Sequence, residues 1–195
     1  MTLRALGLPP QDPATLWGYV GQGARVLVER ALGAEHAHLL EPALGVFMPW
    51  YRQHLLDHSA VYAGLGEAID ALAAEGAVFS VLTNKPEDMS AAIIAGLGLR
   101  ARFPRLIGGD TLPVKKPDPT GLLRLVAAAD VPSAATLMVG DSSVDVATGR
   151  NAGIPTCGVL WGFNGTRVRD AGADVLIAAP AELIPLCREG TAGAR

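Results

Sequence analysis

From residue 63 onward, short apolar runs alternate with stretches of helical periodicity, and this alternation limits the possible folds more than any other feature. Strands separated by helices of this length form right-handed βαβ units, which build a parallel sheet. The sequence therefore predicts an α/β fold with a Rossmann-like parallel sheet. The predicted strands are Ala77–Leu82, Arg105–Ile107, Ala135–Val139, Thr156–Leu160 and Asp174–Ile177, and the predicted helices are about Leu65–Glu75, Glu87–Leu97, Pro119–Ala129, Val144–Ala152 and Ala181–Cys187.

The first 62 residues differ, because their apolar residues recur at helical spacing and no strand pattern occurs. Asp12-Pro13 is typical of a helix start, with an N-cap acid followed by proline. A second helix is predicted to stop at Gly33, and a third, from Glu35 to His58, is expected to be interrupted around Pro42 to Pro49. The predicted organisation is a small helical unit over residues 1–62 and an α/β core over 63–195, whose tail from Gly190 to Arg195 is expected to fray.

Composition excludes several classes of protein. The 195 residues carry a net charge of −3 without a cluster of Lys and Arg, which argues against a nucleic-acid surface. No run of apolar residues approaches the roughly 18 that a membrane span needs. Cys157 and Cys187 lie in separate segments, which favours reduced thiols over a disulfide. We expect a soluble, cytoplasmic monomer or homodimer that binds neither nucleic acid nor a membrane.

The strongest chemical pattern is Gly140-Asp141-Ser142-Ser143-Val144-Asp145, which follows a predicted strand. Two carboxylates four residues apart, at the point where a strand gives way to a helix, are suited to hold a hard divalent cation through oxygen. A buried acid is costly unless it is paired or bound to metal. The alternative is that Asp141 only caps the helix that follows.

Two further segments occupy corresponding positions at the ends of predicted strands or loops. Thr83-Asn84 ends a strand and precedes a helix, so a hydroxyl and backbone N–H groups there are suited to an anion such as phosphate, unless Thr83 merely caps the helix. Lys116 precedes a proline turn and can pair with phosphate or a carboxylate, although such loops are often only solvated. Because functional groups collect at the carboxyl ends of parallel strands, we expect these residues to share one site.

These motifs, in this order and spacing, resemble those of the haloacid dehalogenase-like hydrolase superfamily. Val81-Leu82-Thr83-Asn84 looks like its second motif, Lys116-Pro117 its third, and Gly140–Asp145 its fourth. The resemblance extends over essentially the whole chain to the phosphoglycolate phosphatase branch. The additional segments that carry it are Val20–Ala24, Thr83–Pro86, Ile107–Thr111 and Trp161–Asn164.

The resemblance implies a Mg²⁺-dependent phosphomonoester hydrolase that acts on a small phosphorylated metabolite through an aspartyl-phosphate. By this resemblance Thr83, Asn84 and Lys116 are catalytic residues, and Asp141 and Asp145 hold the metal. The helices before residue 63 would belong to a cap that closes over the site, with Gly21 and Gly23 near the substrate. Arg25 could meet a substrate carboxylate, although a surface role is equally compatible with the sequence.

One family motif has no counterpart. The family's first motif, Asp-x-Asp-Gly-Thr, supplies the nucleophile from a central opening strand, and no Asp-x-Asp pair occurs in these 195 residues. That strand would lie between the strands ending at Thr83 and at Gly140. We therefore expect a core without its first strand, that is, an N-terminally shortened form of an active enzyme. The 195-residue chain alone would then be unstable or rearranged, with a weak metal site.

Two other functions remain open at this stage. Another phosphatase of the superfamily that acts on sugar phosphates, or a phosphomutase, would share the same motifs and differ mainly in the cap. A catalytically inactive domain that binds a partner or a phosphorylated metabolite is the alternative from a different class.

Overall fold

The computed structural model describes residues 1–189 and divides the chain into two compact units. The first unit is Met1–Ser59, and the second begins at Ala60. The tail from Gly190 to Arg195, expected to fray, lies outside the described residues.

The N-terminal unit is entirely helical in its regular structure. Its helices are α1 (Thr2–Ala5), α2 (Pro13–Trp17), α3 (Ala24–Leu32) and α4 (Leu40–Gln53), with a 3-10 segment at Ala34–Leu39. The predicted start at Asp12-Pro13 is confirmed, because the Asp12 side chain accepts a hydrogen bond from Thr15 N. Val28, Leu32 and Ala43 form the buried centre of this unit.

The expected interruption of the third helical region is wrong, because α4 runs without a break through Pro42 and Pro49. Pro42 lies in the first turn, where a missing N–H costs little. Pro49 lies inside the helix, four residues after Gly45. Glycine has the widest backbone freedom, which lets its carbonyl tilt away from the proline ring. The region nevertheless ends at Gln53, before the predicted His58.

The second unit alternates strands and helices as predicted, which confirms the α/β fold. The strands are β1 (Ser80–Leu82), β2 (Arg105–Ile107), β3 (Met138–Gly140), β4 (Thr156–Val159) and β5 (Val175–Ile177). The helices are α5 (Leu65–Ala74), α6 (Glu87–Gly96), α7 (Thr120–Ala129), α8 (Ser143–Ala152), α9 (Gly165–Val168) and α10 (Leu183–Glu189).

Two predicted strands begin later than their apolar runs. The predicted start of β1 instead belongs to the turn that follows α5, where Gly76 has a positive φ of 94° and Ala77 N donates to Leu72 O. The segment before β3 contains a 3-10 turn at Ser133–Ala135, which follows Pro132. In both cases residues with apolar side chains satisfy turn hydrogen bonds instead of ladder bonds.

The strands are parallel and belong to two separate sheets. One sheet contains β1 and β2, and the other has the order β3-β4-β5. Strands β1 and β3 are therefore not hydrogen-bonded to each other. Met138 N donates to Pro155 O on the β4 side, so the alternation of a strand directs the peptide groups of Val139 to the opposite, open edge. Val139 is 41% exposed, which is unusual for an apolar residue in the middle of a parallel strand.

Helices cover the sheets through two clusters of buried apolar side chains. One cluster, built on Cys157, Val159 and Ile177, packs against Leu72 of α5 and Leu183 of α10. The other contains Met138 and Ile154 together with Leu122 and Val126 of α7. Among residues 1–189, no helix has both the length and the apolar character needed to cross a membrane.

Candidate active site

The turn after β1 presents Thr83 and Asn84 at the carboxyl end of the strand. Thr83 N donates to Ile107 O at 3.0 Å, which fixes the end of β1 against β2. Thr83 Oγ1 accepts a hydrogen bond from Lys85 N at 3.1 Å, so the hydroxyl orders the turn and its proton remains available to an anion. The predicted anion site stays a prediction, and one of its backbone donors already has a partner, because Glu87 N at the start of α6 donates to the Asp110 carboxylate at 2.7 Å.

A glycine-rich loop after β2 supports that turn. Gly109 N donates to Lys85 O at 2.8 Å, and a Cβ at Gly109 would overlap Asn84 O. A Cβ at Gly108 would overlap the backbone of Glu87 in the same way. Glycine is therefore required at both positions for the loop after β2 to pack against the turn after β1. This packing brings Asp110 to the N-terminus of α6.

The loop that carries Lys116 is held by two side-chain amides. Asn84, which is 7% exposed, donates from Nδ2 to Lys116 O at 3.0 Å. Asn151 of α8 donates from Nδ2 to Pro117 O at 2.9 Å. The Lys116–Pro117 peptide bond is cis. The role of Asn151 escaped the sequence analysis, since an asparagine near the end of a helix carries no distinctive pattern.

Lys116 and Asp145 form a nearly buried ion pair. Lys116 Nζ lies 2.5 Å from Asp145 Oδ1, and both side chains are 9% exposed. Asp145 Oδ2 accepts hydrogen bonds from Ser142 N at 3.1 Å and Ser142 Oγ at 2.7 Å, which completes a capping box at the start of α8. Asp145 therefore has a structural role in addition to any role at a metal. The capping role that the sequence left open for Asp141 is found at Asp145.

Asp141 is held by the loop that follows β4. Asn164 N donates to Asp141 Oδ2 at 3.1 Å, and a Cβ at Gly162 would overlap the Asp141 carboxylate. A Cβ at Gly140 would likewise overlap Asp145. Both carboxylates thus lie in cradles that only glycine leaves open. This contact gives the Trp161–Asn164 segment a physical role in addition to its resemblance to the family.

Tyr62 lies within the electrostatic influence of Asp141. Burial raises the pKa of its hydroxyl above the ordinary value, and the negative charge of Asp141 raises it further. Its ring is 43% exposed. The phenol therefore stays protonated at neutral pH. A single tyrosine before a helix gives no sequence pattern by which to find it.

The structure brings together five of the predicted site residues. A chain of contacts runs from Thr83 and Asn84 through Lys116 to Asp145, and Asp141 lies four residues before Asp145 on the same strand-to-helix turn. The remaining predicted residues, Gly21, Gly23 and Arg25, belong to the N-terminal unit.

Within that unit, Gly21 and Gly23 have positive φ values of 120° and 95°, and Gly23 precedes α3 as its N-cap. Arg25 Nη2 forms an exposed ion pair with Glu41 Oε1 at 2.7 Å. This pairing is compatible with a surface role for Arg25, and its contact with a substrate remains a prediction.

Asp141 and Asp145 fit a divalent cation in part. Among the described residues, no cluster of three or more His, Cys, Asp or Glu side chains is placed to hold a metal ion. Mg²⁺ commonly binds through one or two carboxylates together with water and substrate phosphate, so two acids in glycine-lined cradles suit it. Asp141 is the better candidate, because Lys116 and Ser142 occupy both carboxylate oxygens of Asp145.

Comparison with known proteins gives one consistent family. The family model described as haloacid dehalogenase-like hydrolase matches residues 1–159. A phosphoglycolate phosphatase from Chromobacterium violaceum is 38% identical over 190 residues, which cover 95% of this chain and 85% of that protein. A probable phosphoglycolate phosphatase from Pseudomonas putida is 38% identical over 199 residues, covering 98% of this chain and 78% of that protein.

Solved structures agree with the sequence relatives. A predicted phosphoglycolate phosphatase from Haemophilus somnus 129PT superposes with a TM-score of 0.83 at 25% identity, covering 95% of this chain and 86% of that one. A putative phosphoglycolate phosphatase from Lactobacillus delbrueckii superposes with a TM-score of 0.85 at 22% identity. At this identity the similarity shows a shared fold and nothing about activity.

Proposed function

Because this chain belongs to the haloacid dehalogenase-like hydrolase family, we propose that it represents an enzyme that hydrolyses a phosphate monoester, and that the ester is 2-phosphoglycolate. The substrate is proposed from the names of the relatives. The resemblance found from the motifs at residues 83, 116 and 140–145 is confirmed by the family match. Magnesium dependence is proposed for this chain from the two carboxylates described above.

The observation that carries the proposal is the chain of contacts through Asn84, Lys116 and Asp145 at the carboxyl ends of β1 and β3. Lys116 is held in place by its backbone and by its ammonium group, so its charge is fixed where a phosphoryl group would meet Thr83. Fixed charges in a partly desolvated site stabilise a transferring phosphoryl group more than mobile ones do. Mg²⁺ bound at Asp141 would supply further neutralisation of the phosphoryl oxygens.

The proposed reaction also needs a nucleophile that the residues described do not provide. The open edges of β1 and β3 support the proposal that the complete core has a further parallel strand between them. Thr83 N donates to Ile107 O, so the alternation along β1 directs the peptide groups of Leu82 away from β2, as those of Val139 are directed away from β4. A strand inserted there would satisfy both edges and would end beside Thr83 and Asp141.

Two alternatives remain distinguishable from this proposal. A phosphatase for sugar phosphates, or a phosphomutase, would have the same core contacts and a different preference among esters. An inactive binding domain would retain the Lys116–Asp145 pair as a structural element, which its place in a capping box would also explain.

The test is an N-terminally extended form in which an apolar strand ending in Asp-x-Asp precedes Met1. With Mg²⁺ we expect this form to release phosphate from 2-phosphoglycolate faster than from glucose 6-phosphate, and we expect the 195-residue chain to release none. Phosphate release is measured colorimetrically over a series of ester concentrations.

The matched control carries the same extension with Asn in place of both added Asp residues. Its added strand should pack against the core equally well, and the protein should release no phosphate. Preference for a sugar phosphate would overturn the substrate, and a folded extended form without activity on any ester would favour the inactive binding domain.

A further inference from the structure

A second concave site lies in the C-terminal unit, between α6, β2 and α7. Its volume is about 450 Å³, within the range of small-molecule sites in proteins. The floor is apolar and includes Ile94, Leu106 and Leu125, of which Ile94 and Leu125 are only 9% and 7% exposed. None of the five predicted site residues brought together above, Thr83, Asn84, Lys116, Asp141 and Asp145, lines this cavity.

The cavity includes the free edge of a β-strand. Strand β2 is paired with β1 on one side only. Thr83 N donates to Ile107 O, so the Ile107 carbonyl points toward β1 and the peptide groups of Leu106 point to the opposite edge. Leu106 therefore offers one backbone donor and one backbone acceptor within the cavity lining.

Three arginines surround the same space, namely Arg100, Arg105 and Arg124. Arg100 Nη1 donates to Phe103 O at 2.7 Å, which orients this guanidinium. Among residues 1–189, neither Arg105 nor Arg124 has a carboxylate within ion-pair distance. Like charges that converge without a counter-charge repel one another, and an anion placed between them would remove that repulsion.

The acidic residue in the lining, Glu87, does not neutralise these arginines. Its Oε2 accepts a hydrogen bond from Thr111 Oγ1 at 2.5 Å, which directs the carboxylate toward the loop after β2. The lining thus carries three positive charges against one negative charge. Guanidinium groups match carboxylate and phosphate oxygens in pairs, so they favour a ligand with several such oxygens.

We propose that this cavity binds a compact organic anion with at least two negative charges, carried on carboxylate or phosphate groups. The anionic groups contact Arg105 and Arg124, and the apolar part of the ligand lies on Ile94 and Leu125. The backbone of Leu106 supplies one donor and one acceptor. This site is independent of the proposed phosphatase activity, since it shares no residue with the Lys116–Asp145 pair.

Isothermal titration of the 195-residue chain with citrate, and separately with pyrophosphate, tests the proposal in the absence of divalent metal. We expect saturable binding of at least one probe with one ligand per chain. Binding of citrate alone assigns a polycarboxylate, and binding of pyrophosphate alone assigns a phosphate. Added NaCl should weaken the interaction, because exposed charges are screened by salt.

Arg124→Gln is the test variant, since this residue is exposed on α7 and none of the described hydrogen bonds or ion pairs involves its side chain. A charge-assisted hydrogen bond contributes enough for its loss to raise Kd about tenfold or more. Arg169→Gln removes the same charge from an exposed position outside the cavity and should leave Kd unchanged within about twofold. If Arg124→Gln does not fold, as judged by circular dichroism, Arg105→Gln is measured against the same expectation.

Lys116→Ala distinguishes this cavity from the active site. Binding at the arginines should survive that substitution with an unchanged Kd. Loss of binding in Lys116→Ala would place the probe at the strand ends and overturn the proposal. An equal rise in Kd for Arg124→Gln and Arg169→Gln would also overturn the proposal. So would a lack of saturable binding with both citrate and pyrophosphate.

Discussion

At the scale of single residues, the site depends on glycines as much as on charged side chains. Gly109 allows the loop after β2 to lie against Asn84, and Gly162 leaves room for the Asp141 carboxylate. Each absent side chain lets a backbone segment approach a polar group of the site. Glycine is needed at these positions because the Cβ of any larger residue would overlap the neighbouring polar group and displace it.

The first prediction concerns Gly109→Ala. Its new Cβ would overlap Asn84 O, so a loop must shift, and overpacking of this kind costs about 1–3 kcal/mol in the free energy of unfolding. Urea unfolding followed by circular dichroism measures the change. Gly66→Ala is the matched control, because its Cβ would meet no atom within 4 Å, and it should be neutral or slightly stabilising. Equal stability of the two variants would contradict the packing argument.

The second prediction concerns the two thiols. Burial raises the pKa of Cys157 to about 12, and burial also raises the pKa of Cys187, which lies at an exposed position. At pH 8 a thiol reagent should modify Cys187 slowly and leave Cys157 intact, whereas both should react in urea. Mass spectrometry of the modified peptides identifies each site. Rapid labelling of Cys157 in the folded protein would contradict its burial.

The same shift has a consequence for stability. A thiol whose pKa is higher in the folded than in the unfolded chain favours folding in its protonated form. Its contribution is complete below the ordinary value near 9 and is lost as the pH rises toward 12. Alkaline conditions should therefore weaken the core cluster around Cys157.

How far the sequence could predict the site follows from what each residue does. Thr83, Lys116 and Asp141 belong to short motifs at strand ends, so pattern alone locates them. Asn151 and Asp110 act from other segments, and only the folded backbone brings Asn151 Nδ2 to Pro117 O and Asp110 to Glu87 N. Long-range hydrogen bonds of this kind leave no periodicity in the sequence.

At the scale of elements, Asn151 connects α8 to the loop that carries Lys116. Replacing it with Ala removes the hydrogen bond to Pro117 O while leaving the Lys116–Asp145 pair in place. We expect a loss of about 0.5–1.5 kcal/mol in the free energy of unfolding. Asn151→Asp serves as a comparison, since a carboxylate of the same shape cannot donate to a carbonyl. If both variants matched the unchanged protein in urea unfolding, Asn151 would have no positioning role.

The effect of proline on helices was the hardest feature of the secondary structure to predict from the sequence. Pro49 should break a helix by the usual rule, yet α4 continues through it. The residues on either side favour helix and bury Ala43 against Val28 and Leu32, so packing outweighs the local cost. Sequence periodicity identified the five strands found among residues 1–189, but the turn hydrogen bonds before β1 and β3 shortened two of them.

This view of α4 gives a prediction for Pro49→Ala. The substitution restores an N–H donor in an exposed position inside the helix, and it should stabilise the N-terminal unit by up to about 3 kcal/mol. Pro42→Ala is the matched control in the first turn, where a smaller gain is expected. Trp50 lies on the same helix, so its fluorescence during urea unfolding reports the change. A larger gain from Pro42→Ala would show that the interior proline is not the costly one.

At the scale of the whole molecule, the C-terminal unit has its open strand edges where its functional side chains meet. Leu82 and Val139 direct their peptide groups to unpaired edges of two separate sheets, and Thr83 and Asp141 each follow the last residue of those strands directly. An open edge usually favours unwanted pairing between chains, unless another strand covers it. The same position thus determines both the stability of the core and its chemistry.

The last prediction is that an added N-terminal strand stabilises this unit before any question of activity arises. A strand that buries about four apolar side chains, at about 1.5–3 kcal/mol each, would contribute about 6–12 kcal/mol, comparable with the net stability of a whole domain. Urea unfolding should show this gain in the extended form. An extension of equal length with the same residues in scrambled order disrupts the alternating strand pattern and should give little or none. Equal stability of the two extensions would mean that β1 and β3 accept no strand between them, and the proposed completion of the sheet would fail with it.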